Sequence, residues 1–222
     1  MDFPARAAVH AALGDESRLR IVDALWLNDM SPVALQEVLG VDSNLLSHHL
    51  SVLERVGIIF RTTSSGDARR RYVSARLDVL DGLMPPRRIV GDSVLFICSQ
   101  NSARSQLAAA LMGSRADVVV DSAGPDPSTR AHPKAVAVAA EGGLDISGAV
   151  PKGYEAVGRA ADVVVSVCDR ALESEIPFAG TRLHWSIPDP AESNRLASFR
   201  HAFDEISRRV DRLADAMNRG ER

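Results

Sequence analysis

The chain has 222 residues, 45% hydrophobic and 25% charged, with a net charge of −3, which fits a water-soluble protein of one large or two medium domains. No stretch approaches the roughly 18 consecutive apolar residues of a membrane span, and the charged opening MDFPARAAVHAALGDESRLR lacks the apolar segment of a secretion signal. Two cysteines, Cys98 and Cys168, without such a signal predict a cytoplasmic protein with free thiols.

Asp15 is placed to cap a helix through ESRLRIVDALWL, with Leu19, Ile21, Val22, Ala24 and Leu25 as its apolar face. Ser31-Pro32 signals the start of a second helix, VALQEVLG, which Gly40 ends. Asp42 or Ser43 opens a third, SNLLSHHLSVLERVG, ended at Gly57. Two short strands, IIFRTT and RRYVSA, follow around the turn SSGD.

In the third helix Ser43, Asn44, Ser47, His48 and Ser51 form a polar stripe opposite Leu46, Leu50, Leu53 and Val56. Short hydrogen-bonding side chains let a helix lie deep in a major groove, within reach of base edges and phosphates. Residues 1–90 balance acidic against basic side chains. Between residues 55 and 76, however, Arg55, Arg61, Arg69, Arg70, Arg71 and Arg76 face Asp67 alone. Arg69, Arg70 and Arg71 fall near the hairpin tip, placed to meet phosphates or an adjacent minor groove. A solvated helix face and a charged turn would look the same singly. In this order the features predict a mainly α winged helix-turn-helix.

ALGDESRLRIVDAL, SHHLSVLERVGII and RRRYVSA resemble the ArsR-type family of metal- and metalloid-responsive repressors, across about residues 5–83. The resemblance implies a homodimer joined through the first and last helices, here about 3–12 and 77–84. It also implies operator DNA as partner, read through Ser43, Asn44, Ser47 and His48. Arsenic-sensing members carry a cysteine pair before the reading helix. The matching NDMSPVALQEV has none, and His48 and His49 belong to the reading helix, so no metal site is expected there.

MPPRRIVGD, residues 84–92, interrupts regular structure with Pro85-Pro86 and Gly91. The expected organisation is a DNA-binding and dimerisation domain over 1–84, a linker over 85–92 and a second domain over 93–222. There the strands SVLFIC, ADVVVDSAG, ADVVVSVC and TRLHWSI alternate with the helices SARSQLAAALMGS and HPKAVAVAAEGG, and residues 193–218 form a closing helix. Apolar strands with helical crossovers predict an α/β fold whose parallel sheet is covered on both faces.

Cys98 falls at the carboxyl end of the first of these strands, where open parallel sheets place their ligand crevices. A loop entering a helix turns backbone N–H groups inward, and the helix N-terminus adds a partial positive charge. Ser99, Gln100, Asn101, Ser102, Ala103, Arg104 and Ser105 are the candidate oxyanion cradle. This field and Arg104 favour a nucleophilic thiolate at Cys98, and Arg104 can fork onto two oxygens of a tetrahedral anion. Asn101 tolerates a left-handed conformation, Ser102 is placed to cap the helix, and the Ser105 hydroxyl to stabilise Cys98. A buried cysteine followed by a surface arginine has the same spacing; the strand–loop–helix context favours the site.

CSQNSARSQLA resembles the oxyanion loop of low-molecular-weight tyrosine phosphatases and of the arsenate reductases that share their fold. DSAG, HPKAVAVAAEGGLDIS, ADVVVSVCD and HWSIPDPA extend the likeness over about residues 93–218. It implies Cys98 as nucleophile, Arg104 as oxyanion clamp and Asp189 as general acid. The phosphatases follow this Asp-Pro with tyrosine, whereas Ala191 here favours a small inorganic anion, arsenate. The likeness further implies that Cys168 attacks arsenylated Cys98, releasing arsenite and leaving a disulfide. Thioredoxin-coupled members carry a third cysteine where this chain has Glu175. Either the Cys98–Cys168 disulfide is then reduced directly, or a small thiol resolves the arsenylated Cys98; the expected reductant is external, thioredoxin or a low-molecular-weight thiol with a glutaredoxin-like partner. A potassium-binding glutamate of some relatives matches Ala109, so no bound ion or cofactor is expected. The combined expectation is a DNA-binding regulator fused to a thiol-dependent arsenate reductase. The alternatives are a tyrosine phosphatase fused to a regulator, or a repressor whose second domain only senses an oxyanion.

Overall fold

A computed structural model describes residues 2–80, 88–158 and 160–218. They form two compact units, with the main division between residues 80 and 88.

The first unit begins with helices α1 (Phe3–Leu13), α2 (Glu16–Leu25), α3 (Pro32–Leu39) and α4 (Ser43–Arg55). A hairpin of β1 (Ile59–Thr63) and β2 (Arg71–Ala75) and a one-turn helix, α5 (Leu77–Leu80), complete it. The expected caps form. Asp15 accepts from the Arg18 N–H at 3.0 Å, Ser31 from Ala34 at 3.2 Å, and Asp42 from both Asn44 and Leu45 at 2.9 Å. Gly40 ends α3 at φ +67°, a left-handed conformation that suits glycine. β1 pairs antiparallel with β2, Ile59 opposite Ala75, and Met30 bridges the other edge of β2 at Val73. Ile21, Val22, Leu35, Leu46, Leu50, Leu53, Ile58 and Val73 fill the core, each contributing on the order of 1.5–3 kcal/mol by burial. Leu19 departs from expectation: at 40% exposure it lies outside that core, because the helix turn directs Ile21, Val22 and Leu25 inward instead.

The second unit carries four parallel strands, β3 (Ser93–Ile97), β4 (Val119–Ala123), β5 (Val163–Ser166) and β6 (Thr181–His184), in the order β4-β3-β5-β6. β3 and β5 are buried throughout, as a sheet covered on both faces requires. The crossovers are α6 (Arg104–Gly113), α7 (Pro133–Glu141) and the short α8 (Asp169–Leu172). One-turn α9 (Pro190–Ser193) leads through Asn194, at φ +47°, into α10 (Leu196–Asn218). α10 packs on α6 and α7 and buries Phe199, Ile206, Val210 and Leu213. The chain leaves β3 toward β4 but leaves β5 toward β6, so a crevice opens between the carboxyl ends of β3 and β5. Cys98 and Cys168 follow those two ends.

Within the expected linker, Pro85–Arg87 lie outside the described residues, as does the expected dimer helix beyond Leu80. Residues 89–92 are tied to the second unit. The Ile89 N–H donates to the Ala216 carbonyl at 2.9 Å and the Asp92 N–H to Asp162 at 3.1 Å.

Candidate functional site

Cys98 follows β3 directly and is 3% exposed. The loop after it is shaped by its carbonyls. Those of Ser99, Gln100 and Ser102 accept from the N–H groups of Asp126, Ser128 and His132 at 3.0, 2.9 and 2.7 Å, and that of Asn101 accepts from the Gln106 amide at 3.1 Å. A trans peptide sets each N–H opposite the preceding carbonyl, so drawing these oxygens outward turns the next N–H groups toward the hollow beside Cys98.

Asn101 sits at φ +47°, the left-handed conformation expected of it. Its side chain links the loop to the nucleophile: Oδ1 accepts from the Lys152 N–H at 2.9 Å, and Nδ2 donates to Ser105 Oγ at 2.9 Å. Ser105 Oγ lies 3.0 Å from Cys98 Sγ. Because its oxygen already accepts from Asn101, the Ser105 hydroxyl has its hydrogen available for the sulfur. Ser102 corrects the expectation of a cap. α6 starts after Ala103 with no side-chain cap bond, and Ser102 meets the loop through its backbone. A capping hydroxyl would occupy amides that an anion at a helix N-terminus needs.

Arg104 is 4% exposed and reaches across to the segment before α9. One guanidinium nitrogen donates to the Ile187 carbonyl at 2.8 Å, the other to Asp189 Oδ2 at 2.7 Å. Asp189 Oδ1 accepts from the Ala191 N–H at 3.0 Å and caps α9. The predicted clamp and acid are thus paired with each other. His132 stacks on Phe199 with centroids 4.5 Å apart; burial lowers its pKa, helped by Lys134 and opposed by Asp189.

Cys168 caps α8, its Sγ accepting from the Ala171 N–H at 3.4 Å. The same sulfur lies 3.3 Å from the Ser99 nitrogen and 3.4 Å from its hydroxyl. The second thiol is therefore bonded to the residue next to Cys98, and both thiols are free. Burial pushes the Cys168 thiol up; Arg104 opposes this, while Cys98 adds to it. Behind it, His184 Nε2 meets Asp169 Oδ1 at 3.1 Å, both side chains almost wholly buried.

In the first unit Ser43, Asn44, Ser47, His48 and Ser51 all stand exposed on α4, and Arg69, Arg70 and Arg71 are exposed at the hairpin. His49 instead turns inward, its Nδ1 3.8 Å from Asp15.

Sequence reasoning assigns no role to Gly124 or Lys152, both of which the structure places at the loop. A Cβ on Gly124 would lie 2.3 Å from the Cys98 carbonyl oxygen, so only glycine fits beneath the loop. The signal for it in the sequence was DSAG, small residues closing a strand. Lys152 acts through its backbone, for which a sequence has no signal.

A phosphatase-type loop at a parallel-sheet crevice is the class of site this unit carries, and comparison with known proteins agrees. Residues 93–222 match the family described as low molecular weight phosphotyrosine protein phosphatase, and residues 13–59 match the family described as helix-turn-helix domain. The chain belongs to the low molecular weight phosphotyrosine protein phosphatase family, with a helix-turn-helix domain ahead of it. It is 32% identical over 126 residues to the glutaredoxin arsenate reductase of Synechocystis sp., covering 54% of this chain and 94% of that protein. The arsenate reductase of Archaeoglobus fulgidus superposes with a TM-score of 0.50 at 30% identity, covering 55% of this chain and 98% of the other. The chain is also 31% identical over 86 residues to the uncharacterized HTH-type transcriptional regulator YceK of Bacillus subtilis, covering 38% of this chain and 83% of that protein. Among the described residues no helix is long and apolar enough to cross a membrane.

Proposed function

We propose that this protein is a DNA-binding regulator whose second domain reduces arsenate to arsenite with thiols. The observation that carries this reading is the Cys168 sulfur on the N–H and hydroxyl of Ser99, one residue from Cys98. A hydrolytic phosphatase needs one thiolate; a reductase needs a second sulfur in reach of the first. The relatives named arsenate reductases and Ala191 after Asp189-Pro190 support the same substrate.

In this reading the Cys98 thiolate attacks arsenic while the loop N–H groups receive the other oxygens. Arg104 transfers from Asp189 to the anion, and Asp189, as the general acid, passes a proton to the departing oxygen, which leaves as water. General acid catalysis of this kind contributes about 10²–10⁴ in rate. Cys168 then attacks the Cys98 sulfur. The S–S bond forms, the S–As bond breaks, and its electron pair stays on arsenic, which leaves as arsenite. Arsenate and two thiols thereby give arsenite, a disulfide and water. With Glu175 where thioredoxin-coupled enzymes carry a third cysteine, thioredoxin or a small thiol with a glutaredoxin-like partner reopens the Cys98–Cys168 disulfide directly.

The first domain binds operator DNA through Ser43, Asn44, Ser47 and His48 of α4, with Arg69, Arg70 and Arg71 on phosphates. It dimerises through α1, whose Phe3 is 82% exposed.

The test is turnover of arsenate against p-nitrophenyl phosphate, with thioredoxin or glutaredoxin and a small thiol supplied, in wild type and Cys168→Ser. Wild type is expected to reduce arsenate, and C168S to lose that activity while retaining phosphate hydrolysis. Hydrolysis of aryl phosphate with no arsenate reduction under any donor overturns the reading in favour of a phosphatase. No turnover, but release of DNA by arsenate, overturns it in favour of a sensor.

A further inference from the structure

Asp189 is tied to the cysteine loop by two routes, and in the reading above turnover opens one of them. The direct route is its 2.7 Å bond from Arg104, which is given up when the guanidinium moves to the anion. The second route runs through the start of α7. The His132 N–H donates to the Ser102 carbonyl at 2.7 Å, so α7 begins on the loop itself. Lys134, the second residue of that helix, then reaches across to Asn194. Its ammonium donates to the Asn194 carbonyl at 2.5 Å and to Asn194 Oδ1 at 2.7 Å.

Asn194 and Asp189 are the two ends of one helical turn. Asp189 caps the start of the four-residue α9 through the Ala191 N–H. Asn194 closes it, its own N–H donating to the Pro190 carbonyl at 3.2 Å. Asn194 is left-handed at φ +47°, a conformation asparagine tolerates, and Lys134 grips both its main chain and its side chain there. Bonds from a charged donor are the stronger kind. The other ties of α9 lead elsewhere. Ser193 Oγ meets Ser198 Oγ of α10 at 2.7 Å, and Glu192 lies 3.6 Å from Arg170, both side chains more than half exposed, a pairing worth little.

The route through Lys134 therefore persists when the Arg104 route opens, and a turn this short carries a restraint at one end to the other. We propose that Lys134 is a positioning residue. Once Arg104 has moved to the anion, the bonds from Lys134 to Asn194 keep the α9 turn, and with it the Asp189 carboxyl, over the departing oxygen. The proposal rests on Asp189 as the general acid. Asp189 gives its proton to that oxygen, and the Lys134 ammonium keeps its own.

Lys134→Met keeps the aliphatic stem and removes the donor. Arsenate reduction and phenyl phosphate hydrolysis, whose leaving oxygens need a proton, are expected to fall about fivefold in kcat with KM unchanged, the size of one net hydrogen bond. Hydrolysis of p-nitrophenyl phosphate, whose leaving group departs readily without a proton, changes much less. Lys134→Arg, which keeps a cationic donor, restores most of the rate. The decisive comparison is with Asp189→Asn: K134M slows the wild-type protein but adds no further loss in the D189N background, where no acid is left to place. Equal slowing of both phosphate esters by K134M, or the same loss with and without Asp189, shows a merely structural lysine and overturns the proposal. If D189N itself slows both esters equally, the general-acid reading fails, and the proposal falls with it.

Discussion

Replacing Gly124 by alanine drives a methyl group into the floor of the cysteine loop. The added carbon would lie 2.3 Å from the Cys98 carbonyl oxygen, 2.7 Å from that of Ser99 and 2.9 Å from the Asn101 nitrogen. Relaxed contacts sit at roughly 3.5 Å, so the loop or β4 must give by about 1 Å. All three atoms are backbone, and no side-chain rotation relieves them. Overpacking of this kind costs about 1–3 kcal/mol. The expected fall in the melting temperature of the second domain is roughly 3–10 °C. Activity suffers more, because a displacement of about 1 Å at a reacting group costs on the order of 10²-fold. The assay pairs calorimetry with turnover of arsenate or aryl phosphate; DNA affinity serves as the control, since Gly124 lies outside the first unit. Wild-type melting together with wild-type turnover in G124A would refute the view that glycine is needed under the loop.

Cys98→Ser is expected to abolish turnover of either substrate and leave DNA affinity unchanged, as titration with labelled duplex would show; parallel loss of both contradicts independent domains. Asp42→Ala removes two 2.9 Å bonds at the start of α4 and is expected to cost about 1 kcal/mol, read by chemical denaturation of the first unit's transition. Changing Arg69, Arg70 and Arg71 to alanine should lower the slope of log affinity against log salt by roughly one for each phosphate no longer neutralised, with little change in sequence preference. Glu205 gives a pH signature. Burial alone would raise its carboxyl, but Arg209 and Arg208, at 2.8 and 2.6 Å, outweigh it and hold it below the ordinary range. Its stabilisation is therefore full above the unfolded value of about 4.3 and lost as pH falls through the folded one. Glu205→Gln is less stable than wild type at neutral pH, and the two converge in acid; parallel denaturation curves at every pH would count against this pairing.

The helix boundaries were legible because their causes are local. Asp15, Ser31 and Asp42 each act within three residues, and Gly40 answers to its own φ. The apolar strands and the Cys98-to-Arg104 loop were legible for the same reason: strand, turn and helix are contiguous, and the bond from Ser105 to Cys98 spans only seven residues. Ser102 misled because a hydroxyl ahead of a helix usually caps it, while this helix starts after Ala103 with no side-chain cap bond. Leu19 misled because apolar character alone cannot say which of two neighbouring faces is buried.

The two kinds of domain, the candidate nucleophile Cys98 and the exposed polar stripe of α4 could be read from the amino-acid order alone, since each is written in spacing along one element. Strand order decided the rest. Placing β5 beside β3 brings Cys168 onto Ser99 across 69 residues, and folding the segment after β6 back over the crevice pairs Arg104 with Asp189 across 85. Those pairings, together with Gly124 under the loop, exist only once distant segments pack. The energy that selects them comes from burying β3, β5 and α10, not from any pattern near the residues they join.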